Sequence, residues 1–322
     1  MGRKGWAWTI LGVLFAAFIV IMIIKADSAF PDSGSSGKNK WNEETVQGKG
    51  KEKIVQLTVD GVIAEKSSGF SGGLSAGSFI SQLEQIRKDD NVKAVVIRVN
   101  SPGGEVVASD EIHSKLVELK KTGKPIIVSM GSMAASGGYY ISAPADYIFA
   151  NPATLTGSLG VIFSIPNYEK AANWLGYKEN TVKSGEFKDI GSPLREMTPK
   201  EKEIFEKLVD ESYQRFVTVI EQGRKLPREK VLEIADGRVY SGQQAKALGL
   251  IDDFGTLEDA VAYAIDRTGL TDPKIVRYVK EPSLSELFGG AMFKTSSPAA
   301  QVLKEILPEI SVGPRMMYLL EM

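Results

Sequence analysis

The chain has 322 residues, of which 43% are hydrophobic and 25% charged, a composition that is ordinary for an α/β protein with a sizeable core. Its net charge of −1 at pH 7 does not indicate a nucleic acid or an acidic surface as a bulk partner. The sequence contains no cysteine, which excludes disulfides, thiol catalysis and cysteine-ligated metals.

An uncharged apolar run extends from Trp6 to Ile24 and would be about 28 Å long as a helix, close to the hydrocarbon thickness of a bilayer. It predicts a transmembrane anchor over residues 1–25. A cleaved signal peptide is the alternative, but the run is long for one and Lys25 to Ala29 is a poor cleavage site. Counts of basic residues do not decide the orientation, whereas the clustering of Arg3 and Lys4 before the run favours an inside N-terminus.

Residues 26–50 are mostly polar, with Ser33 to Gly37 at their centre, and are predicted to form a flexible linker. From Ile54 onward, strand patterns alternate with helix patterns through a domain assigned to residues 51–285. The predicted strands are 54–60, 94–100, 126–130 and 274–279. This alternation predicts an α/β fold with mostly parallel strands.

Two strand-to-helix junctions carry the chemically informative residues. The strand 94–100 leads into Ser101-Pro102-Gly103-Gly104, where consecutive glycines leave N–H groups free to face an anion. The strand 126–130 leads into a small-residue turn around Ser136, followed by a helix start. A serine at such a junction lies near unpaired N–H groups that hold a developing oxyanion, so Ser136 is the candidate nucleophile. The alternative is a small-residue helix that packs on a sheet.

A serine nucleophile needs a neighbouring base. The one histidine of the sequence, His113, lies among polar residues on a predicted helix, which indicates a solvated face rather than a triad. A lysine acts as a base only if burial or nearby positive charge lowers its pKa from about 10.4 towards neutrality. The pattern does not choose among the lysines.

Further along, Thr198, Pro199 and Glu201 predict a capped start for a long helix that ends near Gly223. Such a helix serves core packing or oligomerisation. Shorter helices are predicted from Pro227, Ser241 and Thr256. Residues 286–322 mix Ser, Gly and Pro with isolated apolar groups and are assigned to a flexible C-terminal tail, with a small packed helix as the alternative.

Three segments resemble the signal peptide peptidases of the SppA type in their short bacterial form. They are Asn100 to Gly104, Gly131 to Tyr140 and Thr156 to Val161. The resemblance extends from about Ile54 to about Glu281. It implies a Clp/crotonase-like fold, a membrane anchor, and a serine protease with a Ser–Lys dyad that degrades remnant signal peptides.

The resemblance also assigns roles. The segment Lys183 to Pro193 is similar to the family's signature around the catalytic lysine, which gives the base role to Lys188, with Lys183 as the fallback. Ser158 corresponds to a serine that orients the lysine amine. The oxyanion hole would use N–H groups of Gly103 or Gly104 and of Gly137. No cofactor or metal is implied.

We therefore expect a membrane-anchored serine endopeptidase that acts on signal peptides and unfolded apolar peptides at the extracytoplasmic face. A ring-like homo-oligomer with active sites shared between subunits is expected, since short-form relatives assemble in this way. The alternatives are a Clp-like membrane protease that cuts one specific protein, and a catalytically silent membrane scaffold; an acyl-CoA enzyme of the same fold has no use for the anchor. For a peptidase, an apolar tail that docks in its own substrate groove or is trimmed there is a further hypothesis.

Overall fold

The computed structural model describes residues 41–66, 73–279 and 316–320, all of which belong to one compact unit that begins at Trp41. The anchor expected at Trp6 to Ile24 lies outside these residues, as do most of the linker and most of the C-terminal tail. Within the described ranges, the chain has no helix that is long and apolar enough to cross a bilayer.

The strands, in chain order, are β1 (Asn42–Gln47), β2 (Lys53–Asp60), β3 (Val62–Ala64), β4 (Gly73–Ser75), β5 (Val92–Ser101), β6 (Gly103–Glu105), β7 (Ile126–Ala135), β8 (Tyr147–Ala150), β9 (Leu155–Gly157), β10 (Ile162–Phe163), β11 (Val239–Ser241), β12 (Asp253–Phe254), β13 (Lys274–Val279) and β14 (Met316–Leu319). The helices are α1 (Ala76–Lys88), α2 (Val106–Lys120), α3 (Gly137–Ser142), α4 (Glu169–Trp174), α5 (Pro199–Arg224), α6 (Arg228–Ile234), α7 (Gly242–Leu248) and α8 (Leu257–Thr268).

The main sheet has the strand order β1-β13-β2-β5-β7-β8-β12. All neighbours on this path are parallel except β1, which is antiparallel to β13. Near its end, β7 also pairs with β9, which in turn pairs with the antiparallel β11. The prediction of an α/β fold with mostly parallel strands is confirmed.

Helices cover both faces of this sheet, and alternate residues of β5 show the division. Val95 and Ile97 join the larger core, which includes residues of α1, α2 and α5, whereas Ala94 and Val96 pack under α8. Because successive strand side chains point to opposite faces, a strand covered on both sides is apolar throughout. This explains the near-continuous apolar run of β5.

A second, smaller sheet has the order β10-β14-β6-β3-β4. The strand β14 lies between β10 and β6 and is antiparallel to both. The C-terminal residues Met316–Leu319 are therefore a strand, and the expectation of a flexible tail does not describe this part of it. Periodicity does not predict β14, because four residues after a Ser/Gly/Pro-rich stretch are too few to show a strand pattern.

The linker also ends earlier than expected. Trp41 exchanges hydrogen bonds with Gln85 of α1 through its backbone, and its indole Nε1 donates to Ser81 Oγ at 2.8 Å. Residues 42–47 then form β1, whose side chains are all exposed. Because β1 is held by backbone pairing to β13, its polar composition gave no indication of order.

The long helix α5 begins as predicted, with a reciprocal capping box between Thr198 and Glu201. Its second half buries Phe216, Val217 and Ile220 in the core. In its first half, by contrast, Leu208 is 41% exposed. Only the second half of α5 packs as a core helix within this chain.

Candidate active site

Ser136 lies at the junction of β7 and α3 in a conformation that is rare for a residue with a side chain. Its φ is 51° and its ψ is −116°. The backbone holds it there, because Ser136 N–H donates to Gly157 O and Ser136 O accepts from Tyr140 N–H, both at 2.8 Å. Such strain persists only when the surroundings impose it, and it is concentrated at functional sites.

The Ser136 hydroxyl is buried, and Ser136 as a whole is 1% exposed. Among the residues that the structure describes, Ser136 Oγ has no hydrogen-bond partner. The chain thus holds a candidate nucleophile at a strand-to-helix turn but supplies no base to it within the described ranges.

The two glycines of β6 allow main chains to approach closely. Gly103 has a φ of +106°, and a Cβ added to it would lie 1.9 Å from the carbonyl oxygen of Tyr318. A Cβ on Gly104 would lie 1.9 Å from Ile63 O. Both positions require glycine because other backbones occupy the space of a side chain.

The C-terminal strand β14 lies in the groove beside these glycines. Tyr318 is paired with Gly104 and Leu319 with Gly103, while on the other side Met316 is paired with Phe163 of β10. An extended segment inserted between two strands is the geometry of peptide recognition by strand addition. The groove between β6 and β10 is therefore shaped for an extended peptide.

The carbonyl of Tyr318 lies at the candidate oxyanion site. Leu320 N–H donates to Pro102 O at 3.0 Å, and hydrogen-bonded pairs alternate along antiparallel strands, so the next such pair is Tyr318 with Gly104. The same carbonyl oxygen is 3.1 Å from the position of a Cβ on Gly137. Gly103 N–H, by contrast, already donates to Ser101 Oγ at 3.1 Å.

The side chain of Tyr318 fills a buried aromatic pocket. Its ring stacks on Tyr140 with centroids 4.8 Å apart and contacts Phe216 at 4.9 Å. Its hydroxyl donates to Ser212 O at 3.0 Å, and burial raises the pKa of Tyr318 above the usual range for a phenol. The pocket thus accepts a large aromatic side chain with a polar tip.

A charged pair supports one wall of this pocket. Tyr140 Oη donates to Asp110 Oδ1 at 2.6 Å, and Arg215 contacts both carboxylate oxygens of Asp110, at 2.6 and 2.7 Å. These bonds hold the pKa of Asp110 below its ordinary value, against the effect of burial, which is the largest single cause and acts in the opposite direction. Asp110 therefore fixes the Tyr140 ring between α2 and α5.

His113 does not lie on a solvated face, and that prediction was wrong. Its ring makes an edge contact with Tyr140 at 5.3 Å, and burial lowers the pKa of His113 to about 4. The reason is that α3 and α5 cover this part of α2, which sequence polarity did not indicate. His113 is neutral at physiological pH and contacts the pocket wall rather than Ser136.

Ser158 lies directly beside the nucleophile turn. Gly157, the acceptor of the Ser136 N–H, immediately precedes it, and Ala135 and Gly157 are paired between β7 and β9. Ser158 has a φ of 51°, is 7% exposed, and donates its own N–H to Arg238 O at 2.8 Å. The structure therefore brings Ser136 and Ser158 together.

Lys188 lies in an exposed turn of the segment between α4 and α5. Its N–H donates to Gly185 O at 3.2 Å, and its side chain is exposed, whereas Ser136 is buried. Because Ser136 Oγ has no hydrogen-bond partner among the described residues, Lys188 of the same chain is not bonded to it. The fallback, Lys183, is held in an ion pair with Asp189 at 2.6 Å and also donates to Glu186 O.

The sequence did not indicate the groove strand β14, the Asp110–Arg215 pair or the buried hydroxyl of Ser109. One signal was available for β14, because Met316 to Leu320 is an uncharged apolar run after a breaker-rich segment. The other two depend on contacts between distant helices.

The chain is similar in sequence to known peptidases. The sequence pattern of peptidase family S49 matches residues 118–271, and that of Clp protease matches residues 72–154. A protein of Enterococcus faecium with the name "Putative signal peptide peptidase SppA" is 42% identical over 246 residues, which are 75% of this chain and 72% of that protein. The chain belongs to peptidase family S49.

Other S49 relatives extend this finding. The "Putative protease MJ0651" of Methanocaldococcus jannaschii is 44% identical over 211 residues, which are 66% of this chain and 67% of that protein. Protease 4 of Salmonella typhi is 39% identical over 221 residues, 69% of this chain but 36% of that longer protein. This S49 peptidase is a serine endopeptidase with a Clp-like α/β fold, similar to the SppA type.

Proposed function

We propose that the chain is a membrane-anchored Ser–Lys endopeptidase that cuts extended apolar peptides, remnant signal peptides among them. The observation that carries this is the main chain of Tyr318, which lies along Gly103 and Gly104 with its carbonyl beside Gly137. A peptide in this position presents its carbonyl to the turn that bears Ser136. The strand β14 thus serves as an internal substrate mimic.

In the proposed reaction, the neutral amine of Lys188 takes the proton of Ser136 Oγ while Oγ forms a bond with the peptide carbonyl carbon. The carbonyl π pair moves onto oxygen, and the N–H groups of Gly104 and Gly137 stabilise the oxyanion. We favour Gly104 over Gly103 because Gly103 N–H is already bound to Ser101. The C–N bond then breaks as Lys188 returns the proton to the leaving amine, and water releases the acyl group with Lys188 again as base.

The base comes, in this proposal, from a second copy of the chain. Lys188 and its exposed turn belong to a segment with several apolar side chains in contact with solvent, among them Trp174 and Leu175 at 85% and 72% exposure. Exposed apolar groups of this size are typical of an interface. Docking of this segment beside Ser136 of a neighbour would cover them and complete the site, with Ser158 orienting the amine.

The preferred substrate is an extended peptide with a large aromatic or apolar residue before the cut bond, because that side chain enters the pocket of Tyr140 and Phe216. Main-chain pairing with β6 and β10 makes few demands on the remaining residues. The apolar run Trp6 to Ile24 would hold the enzyme where cleaved signal peptides remain, with an inside N-terminus.

The test is hydrolysis of a synthetic signal peptide by the detergent-solubilised full chain, beside Ser136→Ala and Lys188→Ala, from pH 6 to 10. We expect both variants to be inactive yet to assemble like the parent. If Lys188→Ala keeps its activity, the base lies elsewhere. If the parent cuts no isolated apolar peptide, a protease for one specific protein becomes the better description.

A further inference from the structure

The hydroxyl of Ser109, near the start of α2, has no role in the site described above. Ser109 is fully buried, and its Oγ has no hydrogen-bond partner among the residues that the structure describes. Nearly all buried polar groups in native proteins are hydrogen-bonded, because an unpaired one costs free energy. An unpaired hydroxyl at this depth therefore needs an explanation.

Other helical hydroxyls in this fold use their proton locally. Ser142 donates to Gly138 O at 2.7 Å, Ser212 to Leu208 O at 3.1 Å and Thr218 to Gln214 O at 2.9 Å. Donation to a carbonyl four residues earlier is the common solution for helical Ser and Thr. Ser109 departs from this solution and keeps its donor available. His113, one turn further on, also has an unpaired Nδ1, so the two do not satisfy each other.

The surroundings of Ser109 Oγ are those of the oxyanion site. A Cβ on Gly137 would lie 2.7 Å from Ser109 Oγ, 3.0 Å from Gly104 N and 3.1 Å from the carbonyl oxygen of Tyr318. The hydroxyl, the amide and the carbonyl thus border one small space. The space is open because residue 137 is a glycine.

We propose that the Ser109 hydroxyl is a third oxyanion donor, beside the N–H groups of Gly104 and Gly137. This inference rests on the proposed function, with Ser136 as the nucleophile. In the docked strand, Ser109 makes no bond to the planar carbonyl. When Ser136 Oγ adds to the carbon, the oxygen gains a full charge and a further lone pair, and Ser109 O–H donates to it. A bond made only in the transition state raises kcat and leaves substrate binding unchanged.

The experiment compares the detergent-solubilised full chain with Ser109→Ala, Ser109→Cys and a matched control, Ser142→Ala, which removes another buried serine hydroxyl. Three quantities are measured. They are the hydrolysis of a peptide that ends in Met-Met-Tyr on aminocoumarin, the affinity for the corresponding peptide aldehyde, which adds to Ser136, and the affinity for the uncleaved peptide amide in a Lys188→Ala background.

For Ser109→Ala we expect kcat to fall roughly 10- to 100-fold, less than the ~10²- to 10³-fold loss for a principal oxyanion donor. Aldehyde affinity falls by the same factor, and amide affinity stays within about twofold, as for a bond absent from the ground state. Ser109→Cys behaves similarly, because a thiol is a weak donor of nearly the same size. Ser142→Ala leaves the ratio of aldehyde to amide affinity unchanged.

Equal losses of aldehyde and amide affinity would overturn the inference, since Ser109 would then only shape the groove. Unchanged kcat and aldehyde affinity would also overturn it. Failure of the proposed function is seen separately, as aldehyde binding that survives Ser136→Ala. The aldehyde affinities stay interpretable even if Lys188 is not the base, because the reversible addition of an aldehyde to Ser136 has no leaving group that a base must protonate.

Discussion

Ser136 and Ser158 share an unusual backbone conformation, with a φ of 51° at each. Pairing of β7 with β9 places the two turns side by side. A strained residue persists only where its neighbours over-determine it, and two adjacent ones indicate a region shaped for function. The site is thus defined by backbone geometry as much as by side-chain chemistry.

The pH profile separates a lysine base from a histidine base. Burial lowers the pKa of His113 to about 4, so His113 is neutral above about pH 5 and would give a flat profile there. A lysine base acts only as the neutral amine, so kcat/KM should instead rise with pH through the neutral and alkaline range. The measurement is kcat/KM for a fluorogenic peptide from pH 5 to 10. His113→Phe, which keeps a ring against Tyr140, should show the same rise.

Substrate preference before the cut bond follows from the pocket of Tyr318. Peptides with Tyr there should exceed those with Phe by about 2- to 10-fold in kcat/KM, the effect of one neutral hydrogen bond, here to Ser212 O. Peptides with Asp there should be poor substrates, since a carboxylate would be buried among rings. Equal rates for Tyr, Phe and Asp would show that this pocket does not select the substrate.

Arg195 joins the Lys188 turn to the start of α5. Its guanidinium donates to the carboxylate and the backbone carbonyl of Asp189, to Glu196 O and to both carboxylate oxygens of Glu201. All five of its N–H donors are used. Glu201 also accepts a hydrogen bond from the backbone N–H of Thr198, the N-cap of α5, so Arg195 links the turn directly to the capped helix start.

We expect Arg195→Lys to lower kcat several-fold and to leave KM nearly unchanged, because an ammonium cannot replace the planar fork that fixes the turn. Arg195 holds the pKa of Asp189 and of Glu201 to about 2. Carboxylates with lowered pKa values contribute stability that is lost only as the pH falls from about 4 towards 2. The ion pairs of Arg195 with Asp189 and Glu201 therefore stay intact throughout the assay range.

Steady-state kinetics at pH 8 measure the effect of Arg195→Lys. Arg87→Lys is the control, because Arg87 also pairs with a glutamate, Glu84, but lies on α1, far from Lys188 in the sequence. A loss of kcat that the control shares, or a normal kcat in Arg195→Lys, would contradict a positioning role.

Sequence patterns predicted the elements whose residues decide their own structure. The parallel strands are β-branched and apolar, the start of α5 carries a complete capping box, and Gly249 ends α7 in the left-handed conformation. The small neighbours of Ser136 indicated the nucleophile turn. These features are local, so local sequence was sufficient.

Features that depend on distant partners could not be predicted in this way. The strand β1 is exposed on every side chain and is ordered by pairing with β13, more than 200 residues later. His113 is covered by helices that arrive from elsewhere in the chain. The assignment of Lys188 to the base came from a resemblance, and the fold of one chain leaves it apart from Ser136.

The segment from α4 to the Lys188 turn presents apolar side chains to solvent, including a fully exposed Val182. The first half of α5 adds Leu208. Together with the separation of Ser136 from Lys188, this favours an assembly in which neighbours complete each other's sites.

Mixing two inactive variants tests this assembly. Ser136→Ala supplies Lys188, and Lys188→Ala supplies Ser136, so co-assembled subunits should recover about a quarter of the parent activity, the fraction of complete interfaces under random mixing. The measurement is peptide hydrolysis after joint dissociation and reassembly. Ser136→Ala mixed with a Ser136→Ala/Lys188→Ala double variant is the control and should stay inactive. No recovery in verified mixed assemblies would place the base within the same chain.

The strand β14 has partners along both of its edges, β6 on one side and β10 on the other. A peptide that takes its place must therefore arrive with both edges unpaired. Strands inside a folded protein already have neighbours, and a helix has committed its backbone groups to itself. Proline lacks an N–H, so a prolyl residue at the position of Leu320 would lose the bond to Pro102 O. Under the proposed function, we therefore expect the peptidase to select unfolded peptides over folded proteins, because only unfolded peptides have backbone groups free on both edges.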